Sequence, residues 1–253
     1  MLAKSCSTIG TYRSQNNGKI LLKEAKRNDN SRQNPYGLSL KMTDKNSLQT
    51  PKSSLELNIV EITEFHRECL KETDWLTCTN HGNSRENLWG AITENHKNNS
   101  LLWAEEDLAR RRLASDSEIA ANKRNIDRFN QARNDAIEAI DEHLLAQIFQ
   151  SNPSAKTGQI NSESAGSIVD RLSILSLKKR AFSKQIERID VDSHHIKTCQ
   201  NKLLRLSDQE QDLTTCFASL MADAEKGIIR WKIYRQFKMY NDPRLNPQIY
   251  LES

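Results

Sequence analysis

The sequence predicts an all-α protein: an antiparallel bundle of about five helices built on a long central hairpin, with a disordered basic N-terminal arm and an extended C-terminal tail. Two observations predict this fold class. Residues 114–152 contain neither proline nor glycine, so one unusually long helix can form there. Four further stretches, at about 54–70, 84–112, 165–189 and 193–226, place apolar residues at helical spacing.

The long helix has clear start and stop signals. Ser115 followed by Glu118 is a capping-box pair, and Pro153 ends the run because its ring clashes with a preceding helical turn. One stripe along it is apolar at both ends and polar in the middle: Ile126, Asn130, Arg133, Ile137, Ile140, Leu144 and Ile148. A neighbouring line is wholly polar, as a solvated face would be: Asp127, Gln131, Asn134, Glu138 and Asp141.

The preceding stretch, 84–112, predicts the partner helix of the hairpin. Its stripe is also interrupted by polar residues: Leu88, Ile92, Asn95, Asn99, Leu102, Glu106 and Ala109. With a turn centred on Ala114, residues at the same level have numbers that add to about 228. Asn95 then lies level with Arg133, and Asn99 lies level with Asn130.

Polar side chains inside an apolar contact need hydrogen-bond partners, water or a ligand. Two interpretations follow: an interior network that fixes helix register, or a binding pocket. In the second, Arg133 clamps a small anionic, sugar-phosphate-like ligand, and His96, Glu106 and Asp107 form an acid–base set or hold a hard divalent cation. The candidate ligand-binding residues are Asn95, His96, Asn99, Glu106, Asp107, Asn130, Arg133 and Asn134.

The other helices have simpler patterns. Helix 165–189 carries apolar residues on more than one side, which predicts a central position; Asp170, near its start, is favoured there by the helix dipole. Helix 193–226 has a heptad-like stripe that favours a coiled-coil contact, within the bundle or between two copies of the chain. Gly227 marks its end, and segments 74–83 and 151–164 are predicted loops.

Charge and composition divide the chain into three parts. Residues 1–54 hold ten Lys and Arg against three Asp and Glu, a net charge of +7, and form the predicted disordered arm. Residues 55–229 form the predicted bundle. Segment 230–253 is aromatic and basic, and the spacing of three between Trp231, Tyr234, Phe237 and Tyr240 predicts a helical stripe docked on the bundle. Leu245-Asn246-Pro247 is expected to keep the tail extended.

Several separated motifs resemble one bacterial family, the domain of unknown function 4254. They occur in the family's order: Leu102-Trp-Ala-Glu-Glu-Asp-Leu-Ala-Arg110, Lys123-Arg124 with Ile126-Asp127, Asn130-Gln-Ala-Arg-Asn-Asp135, Asp170-Arg-Leu-Ser-Ile-Leu175 and Tyr234-Arg-Gln-Phe-Lys-Met-Tyr-Asn-Asp-Pro243. The resemblance extends over about residues 56–250 and leaves the basic arm outside.

The resemblance transfers no activity, because none is established for this family. It implies a setting near glycosyltransferases of surface polysaccharide assembly. A His often occupies the place of Ala104 in the family pattern, so the resemblance supplies no imidazole mechanism for this chain.

The residues therefore favour a binding or accessory protein with a protein partner, including a homodimer through helix 193–226. The alternatives are an enzyme or sensor using the polar pocket, and nucleic-acid binding by the basic ends. We do not expect nucleic acid as the partner, because the arm lacks arginine clusters and interleaved aromatic residues. No standard catalytic motif, cofactor fingerprint or metal-ligand spacing occurs, so no cofactor is expected.

No apolar run approaches the ~20 residues that cross a bilayer, so no membrane span is expected. The first ten residues lack the apolar core of a signal peptide. The five cysteines are odd in number and widely spaced, which fits a reducing cytoplasm better than a disulfide framework. A cytoplasmic location is therefore expected.

Overall fold

The structure is a computed structural model that describes residues 57–72, 75–76, 87–236, 239 and 242–251. The all-α prediction is confirmed, and the helices pack as a bundle. The elements are α1 Ile59–Cys69, α2 Leu88–Leu108, α3 Asp116–Ser151, a 3-10 helix Pro153–Thr157, β1 Gln159–Ile160, α4 Ala165–Ile186, α5 Ser193–Glu225, β2 Ile229–Arg230 and α6 Pro247–Tyr250.

The central hairpin of α2 and α3 forms as the sequence predicts. Ser115 caps α3, with its hydroxyl accepting from the Glu118 amide while the Glu118 carboxylate accepts from the Ser115 amide. At the other end, Asn152 caps the helix just before Pro153. Glu105 on α2 accepts hydrogen bonds from Asn122 and Asn125 of α3 at 2.7 and 3.0 Å. These pairs fit the predicted antiparallel register.

Helix α4 is central, as predicted, because it contacts α1, α2, α3 and α5. The bundle core contains buried apolar residues from every long helix, with examples in Ile62, Ile92, Ile140, Leu144, Leu172 and Phe217. The buried members of the α5 stripe, among them Leu213 and Leu220, belong to this same core. The stripe is therefore used within one chain, and the homodimer through helix 193–226 stays a prediction.

The polar line on α3 is not a solvated face along its whole length. Asn134 and Asp141 are buried, whereas Asp127 is exposed. The start of α4 crosses α3 at Asp141, where the Asp141 Oδ1 atom accepts a hydrogen bond of 2.7 Å from the Gly166 amide. Burial raises the pKa of Asp141 to about 6, although hydrogen bonds from Ser164 and Gly166 oppose that rise. A carboxylate at a helix N-terminus is electrostatically favourable.

The chain after α5 departs from the predicted helical stripe. Gly227 has a positive φ of 73° and ends α5, as its position predicted. The next two residues form β2, which pairs in parallel with β1, and residues 231–236 continue without a helix. Trp231 is buried, whereas Tyr234 is 74% exposed, so the two rings do not share one buried face. The stripe prediction is wrong for this segment; Phe237 and Tyr240 lie outside the described residues.

Three smaller predictions are corrected. Helix α4 ends at Ile186, before the predicted end at residue 189, and Ile189 is fully exposed. The 151–164 linker contains a 3-10 helix and β1. Pro247 begins the short helix α6, where Asn246 is the cap, because a proline fits the first helical position without losing a hydrogen bond. The tail is therefore not wholly extended.

The predicted disordered arm, residues 1–54, and most of the predicted 74–83 loop lie outside the described residues. In the part that the structure describes, no helix is both long and apolar enough to cross a membrane. The described cysteines, Cys69, Cys199 and Cys216, form no disulfide.

The close crossing of α3 and α4 makes Gly166 sensitive to substitution. A Cβ atom at this position would lie 2.5 Å from the Ile137 carbonyl oxygen and 3.0 Å from the Asp141 carboxyl carbon. We therefore expect Gly166→Ala to lower the free energy of unfolding by about 1–3 kcal/mol through overpacking. Chemical denaturation measures this change. Ser162→Ala, at an exposed position just before α4, is the control, and equal stability of the two variants would contradict the crossing geometry.

Candidate functional site

Buried polar side chains meet where α2, α3 and α4 come together. The Asp170 Oδ1 atom accepts hydrogen bonds from the side-chain amides of Asn95 and Asn99, each at 2.9 Å. The Asn99 amide also donates to the Ser173 hydroxyl at 3.0 Å. These four residues are 8% exposed or less. The interior network that the polar stripes predicted is therefore present, but its centre lies on a third helix.

Asp170 is the residue whose role the sequence missed. Its position near the start of α4 suggested a surface carboxylate that stabilises the helix dipole. In the structure it points into the bundle, because Val169, Leu172 and Ser173 on the same helix are all buried around it. Apolar residues on more than one side of α4 were the available signal, since they leave a narrower solvated face and place some of the polar residues of the helix inside.

Next to this network, the rings of His66, His96 and Trp75 form a stack. His96 lies between His66 of α1, at 4.5 Å between ring centroids, and Trp75, at 5.0 Å, and both contacts are stacked. Its Nδ1 atom is 2.8 Å from the Ser173 hydroxyl. That hydroxyl also accepts from Asn99, so Ser173 joins the ring stack to the amide network. Sequence patterns gave no signal for His66 or Trp75.

Both imidazoles are held neutral by their surroundings. Burial places the pKa of His66 well below its usual value, and the neighbouring His96 lowers it further. Burial likewise lowers the pKa of His96 to about 3, although the His66 backbone opposes this slightly. Among the described residues, no partner forms a hydrogen bond of standard geometry with either His66 nitrogen or with His96 Nε2. Protonation would therefore leave buried charge without compensation.

Ser173, His96 and Asp170 lie together but do not form a nucleophilic triad. Asp170 binds the two asparagine amides, and the structure shows no hydrogen bond between it and His96. Ser173 is fully buried in the middle of α4, so a substrate cannot reach its hydroxyl. A triad requires an accessible nucleophile and a base oriented by the acid. Ser173, His96 and Asp170 therefore have a structural role inside the bundle, as members of one hydrogen-bonded network.

Next to the network, on the side of Asn99, an open cavity of about 420 Å³ lies between α2, α3 and α4. We call it the polar pocket. Five of the predicted site residues line it: Asn99, Glu106, Asp107, Asn130 and Arg133. Its other walls are Leu102, Trp103, Arg110, Ile126, Ile174 and Leu177. The volume is in the range of small-molecule sites, which combine apolar walls with a few polar groups.

The remaining three predicted site residues do not line the pocket. Asn95 and His96 lie in the buried network next to the pocket. Asn134 donates a hydrogen bond of 2.8 Å to the side chain of Gln236 in the segment after β2. The predicted acid–base set is therefore not assembled, because His96 is separated from the carboxylates of Glu106 and Asp107 that line the pocket.

Of the two arginines that line the polar pocket among the described residues, Arg110 is closely paired with a carboxylate and Arg133 is not. The Arg110 guanidinium is 2.5 Å from the Glu106 carboxylate on the same helix. The Arg133 Nε atom is buried, and no hydrogen-bond partner for it occurs among the described residues; the nearest carboxylate oxygen, Asp170 Oδ1, is 3.9 Å away. Another Arg133 nitrogen makes only a long bond of 3.4 Å to Asn134. Arg133 therefore has spare donor capacity at the pocket.

The segment after β2 lies against α3 next to Arg133. Arg235 pairs with Glu138, at 2.6 Å, and with Glu142. Together with the bond between Gln236 and Asn134, these contacts hold residues 235–236 alongside the pocket helix. Within the described part of the chain, no three His, Cys, Asp or Glu side chains are grouped so that they could hold a metal ion.

Residues 89–233 match a family model described as "Protein of unknown function (DUF4254)". The chain belongs to this family. The match covers more than half of the chain and includes every residue that lines the polar pocket, together with Asp170 and Ser173. His66 and Trp75 lie outside it. No curated protein and no solved structure matches the chain.

The neutral histidine stack predicts sensitivity to acid. The pKa of each imidazole is lower in the folded protein than the ordinary value of 6.5. The unfolded chain thus binds more protons below pH 6.5, and stability falls as the pH falls from 6.5 towards 3. The expected slope is about 1.4 kcal/mol per pH unit for each histidine.

His66→Phe keeps a ring in the stack and removes one of the two titrating groups. The variant should therefore lose less stability than the wild type between pH 6.5 and 4.5, measured by urea denaturation. Asp141 has a raised pKa and so acts in the opposite direction below pH 6, but it contributes equally to both proteins and cancels in the difference. Parallel pH profiles of the two proteins would contradict the neutral stack.

Proposed function

We propose that this protein binds a small anionic ligand of the sugar-phosphate class in the polar pocket. The observation that carries the proposal is the Arg133 guanidinium, which lines the pocket and whose hydrogen bonding to the described residues is one long bond of 3.4 Å to Asn134. Its Nε atom is buried and lies out of reach of a ligand, but the side chain is 27% exposed, so the other N–H groups can donate charge-assisted hydrogen bonds to a ligand in the pocket. A phosphate group has the oxygen geometry that the planar guanidinium binds best.

The other walls favour a ligand that carries a sugar ring. The amides of Asn99 and Asn130 and the carboxylates of Glu106 and Asp107 offer donors and acceptors for hydroxyl groups. Trp103 supplies an apolar face. A charged end at Arg133 and a hydroxyl-rich body across the amides and carboxylates would use both parts of the pocket.

The proposal is for binding, as in a sensor or an accessory protein. The described residues that line the pocket include no Ser, Thr, Cys, His or Lys, so they provide neither a common nucleophile nor an imidazole base. Among them, acid–base chemistry would depend on Glu106 and Asp107. A place beside glycosyltransferases, which the family resemblance implies, is consistent with a phosphorylated sugar and belongs to the same proposal.

Arg133→Met tests the assignment, because it removes the guanidinium while keeping a long apolar stem. Wild type should be stabilised against heat by a phosphorylated hexose, for example glucose 1-phosphate or glucose 6-phosphate, and not by glucose itself. A ligand present at 100 times its dissociation constant stabilises by about 2.7 kcal/mol. The variant should remain folded and bind about ten- to a hundredfold more weakly, measured by calorimetry.

The matched control is Arg124→Met, which removes the same charge from an exposed position of α3 outside the pocket. It should retain the ligand response. Unfolding of Arg133→Met would favour a purely structural network, and an unchanged affinity in that variant would exclude Arg133 as the anion contact. Either result contradicts the proposed function.

A further inference from the structure

Asp170 and Arg133 are neighbours of opposite charge that are held with unequal strength. The Asp170 carboxylate is fixed by two amide hydrogen bonds from α2, and its side chain is 11% exposed. The Arg133 side chain is 27% exposed, and its Nε atom lies 3.9 Å from Asp170 Oδ1, which is too far for a hydrogen bond. The guanidinium can therefore move towards a ligand while the carboxylate stays in place.

A fixed negative charge beside the anion contact affects binding. An anion held by Arg133 lies within a few ångströms of the guanidinium and so comes close to Asp170 as well. Water screens this repulsion poorly, because Asp170 is nearly buried. The repulsion is proportional to the charge of the ligand. It opposes a dianion about twice as strongly as a monoanion.

We propose that Asp170, next to Arg133 and behind the residues that line the polar pocket, is a specificity-determining residue whose charge selects against highly charged anions. This inference rests on the proposed function and narrows it: among anionic sugar derivatives, the pocket binds those with one negative charge, such as a phosphodiester or a sulfate ester, more tightly than it binds phosphate monoester dianions. The same carboxylate keeps the resting Arg133 from being an uncompensated cation, which is costly in a partly buried site.

The competing explanation gives Asp170 only a structural role as the acceptor for Asn95 and Asn99. The two roles separate chemically, because accepting these bonds needs an oxygen atom and not a charge. Asp170→Asn keeps an oxygen of the same shape and removes the charge. Its new NH2 group replaces Oδ2, for which the structure shows no hydrogen bond among the described residues, so it meets no donor there.

Calorimetry on the full chain at pH 8 gives the test, with two probes that differ in charge and not in the sugar. Glucose 6-sulfate carries one negative charge and glucose 6-phosphate carries two at this pH. In Asp170→Asn we expect binding to tighten by about tenfold for the sulfate and about a hundredfold for the phosphate. The preference between the probes should therefore shift by about tenfold, a change that a loss of structure cannot produce.

The control is Asp190→Asn, which makes the same substitution at an exposed position in the connection between α4 and α5. It should leave both affinities unchanged. Equal or weaker binding by Asp170→Asn, or the same gain for both probes, overturns the role of Asp170. If wild type and Asp170→Asn both bind neither probe, the proposed function itself fails, and the inference fails with it.

Loss of folding has a defined meaning as well. Thermal unfolding of Asp170→Asn is measured beside the wild type. If it does not fold, Asp170→Ser supplies a smaller neutral side chain that keeps one oxygen atom. A folded serine variant should show the same shift in preference, whereas the failure of both variants to fold would show that the bundle needs the carboxylate and would overturn the inference.

Discussion

The structure depends on the buried Asp170 carboxylate, one oxygen of which accepts hydrogen bonds from two amides of another helix. Asp170 on α4 accepts from Asn95 and Asn99 on α2, one helical turn apart, so the two helices can pack in only one register without losing a hydrogen bond. A slip would leave two amides and a carboxylate without partners in the interior, at a cost of about 1–3 kcal/mol for each neutral group and more for the charge. This constraint explains why polar residues interrupt an otherwise apolar stripe.

The same constraint links the two polar regions of the bundle. Asn99 lines the pocket and also reaches Asp170 and Ser173, and Ser173 contacts His96 in the ring stack. Asn99, which lines the pocket, is therefore held in place by a continuous chain of hydrogen bonds. In the proposed function, holding Asn99 in place before a ligand binds reduces the entropy cost of binding.

Local signals predicted the parts of the fold that depend on local physics. The capping box at Ser115, the stop at Pro153 and the antiparallel register of α2 and α3 all follow from helix geometry and a short turn. These signals also brought Asn99, Asn130 and Arg133 to one place. They could not identify the partners of Asp170, because Asn95 and Asn99 are more than 70 residues away in the sequence.

Long-range contacts also explain the errors. Trp231 and Tyr234 have helical spacing, but the pairing of β2 with β1 keeps the chain extended as it leaves α5. The spacing of Asn134 and Asp141 predicts a solvated helix face, but the segment after β2 covers Asn134 and the start of α4 covers Asp141. Periodicity reports how a helix is patterned, and it does not identify which distant segment lies against each face.

The short parallel pair of β1 and β2 has a practical consequence. It joins the chain just before α4 to the chain just after α5, through the pairs Gln159 with Ile229 and Ile160 with Arg230. The pairing thus holds together the start of α4 and the end of α5. At the opposite end of these two helices, the connection, residues 187–192, is almost entirely exposed. That exposed connection is the natural place to attach a fluorescent label or a small tag, because the pairing of β1 with β2 holds the opposite ends of the two helices.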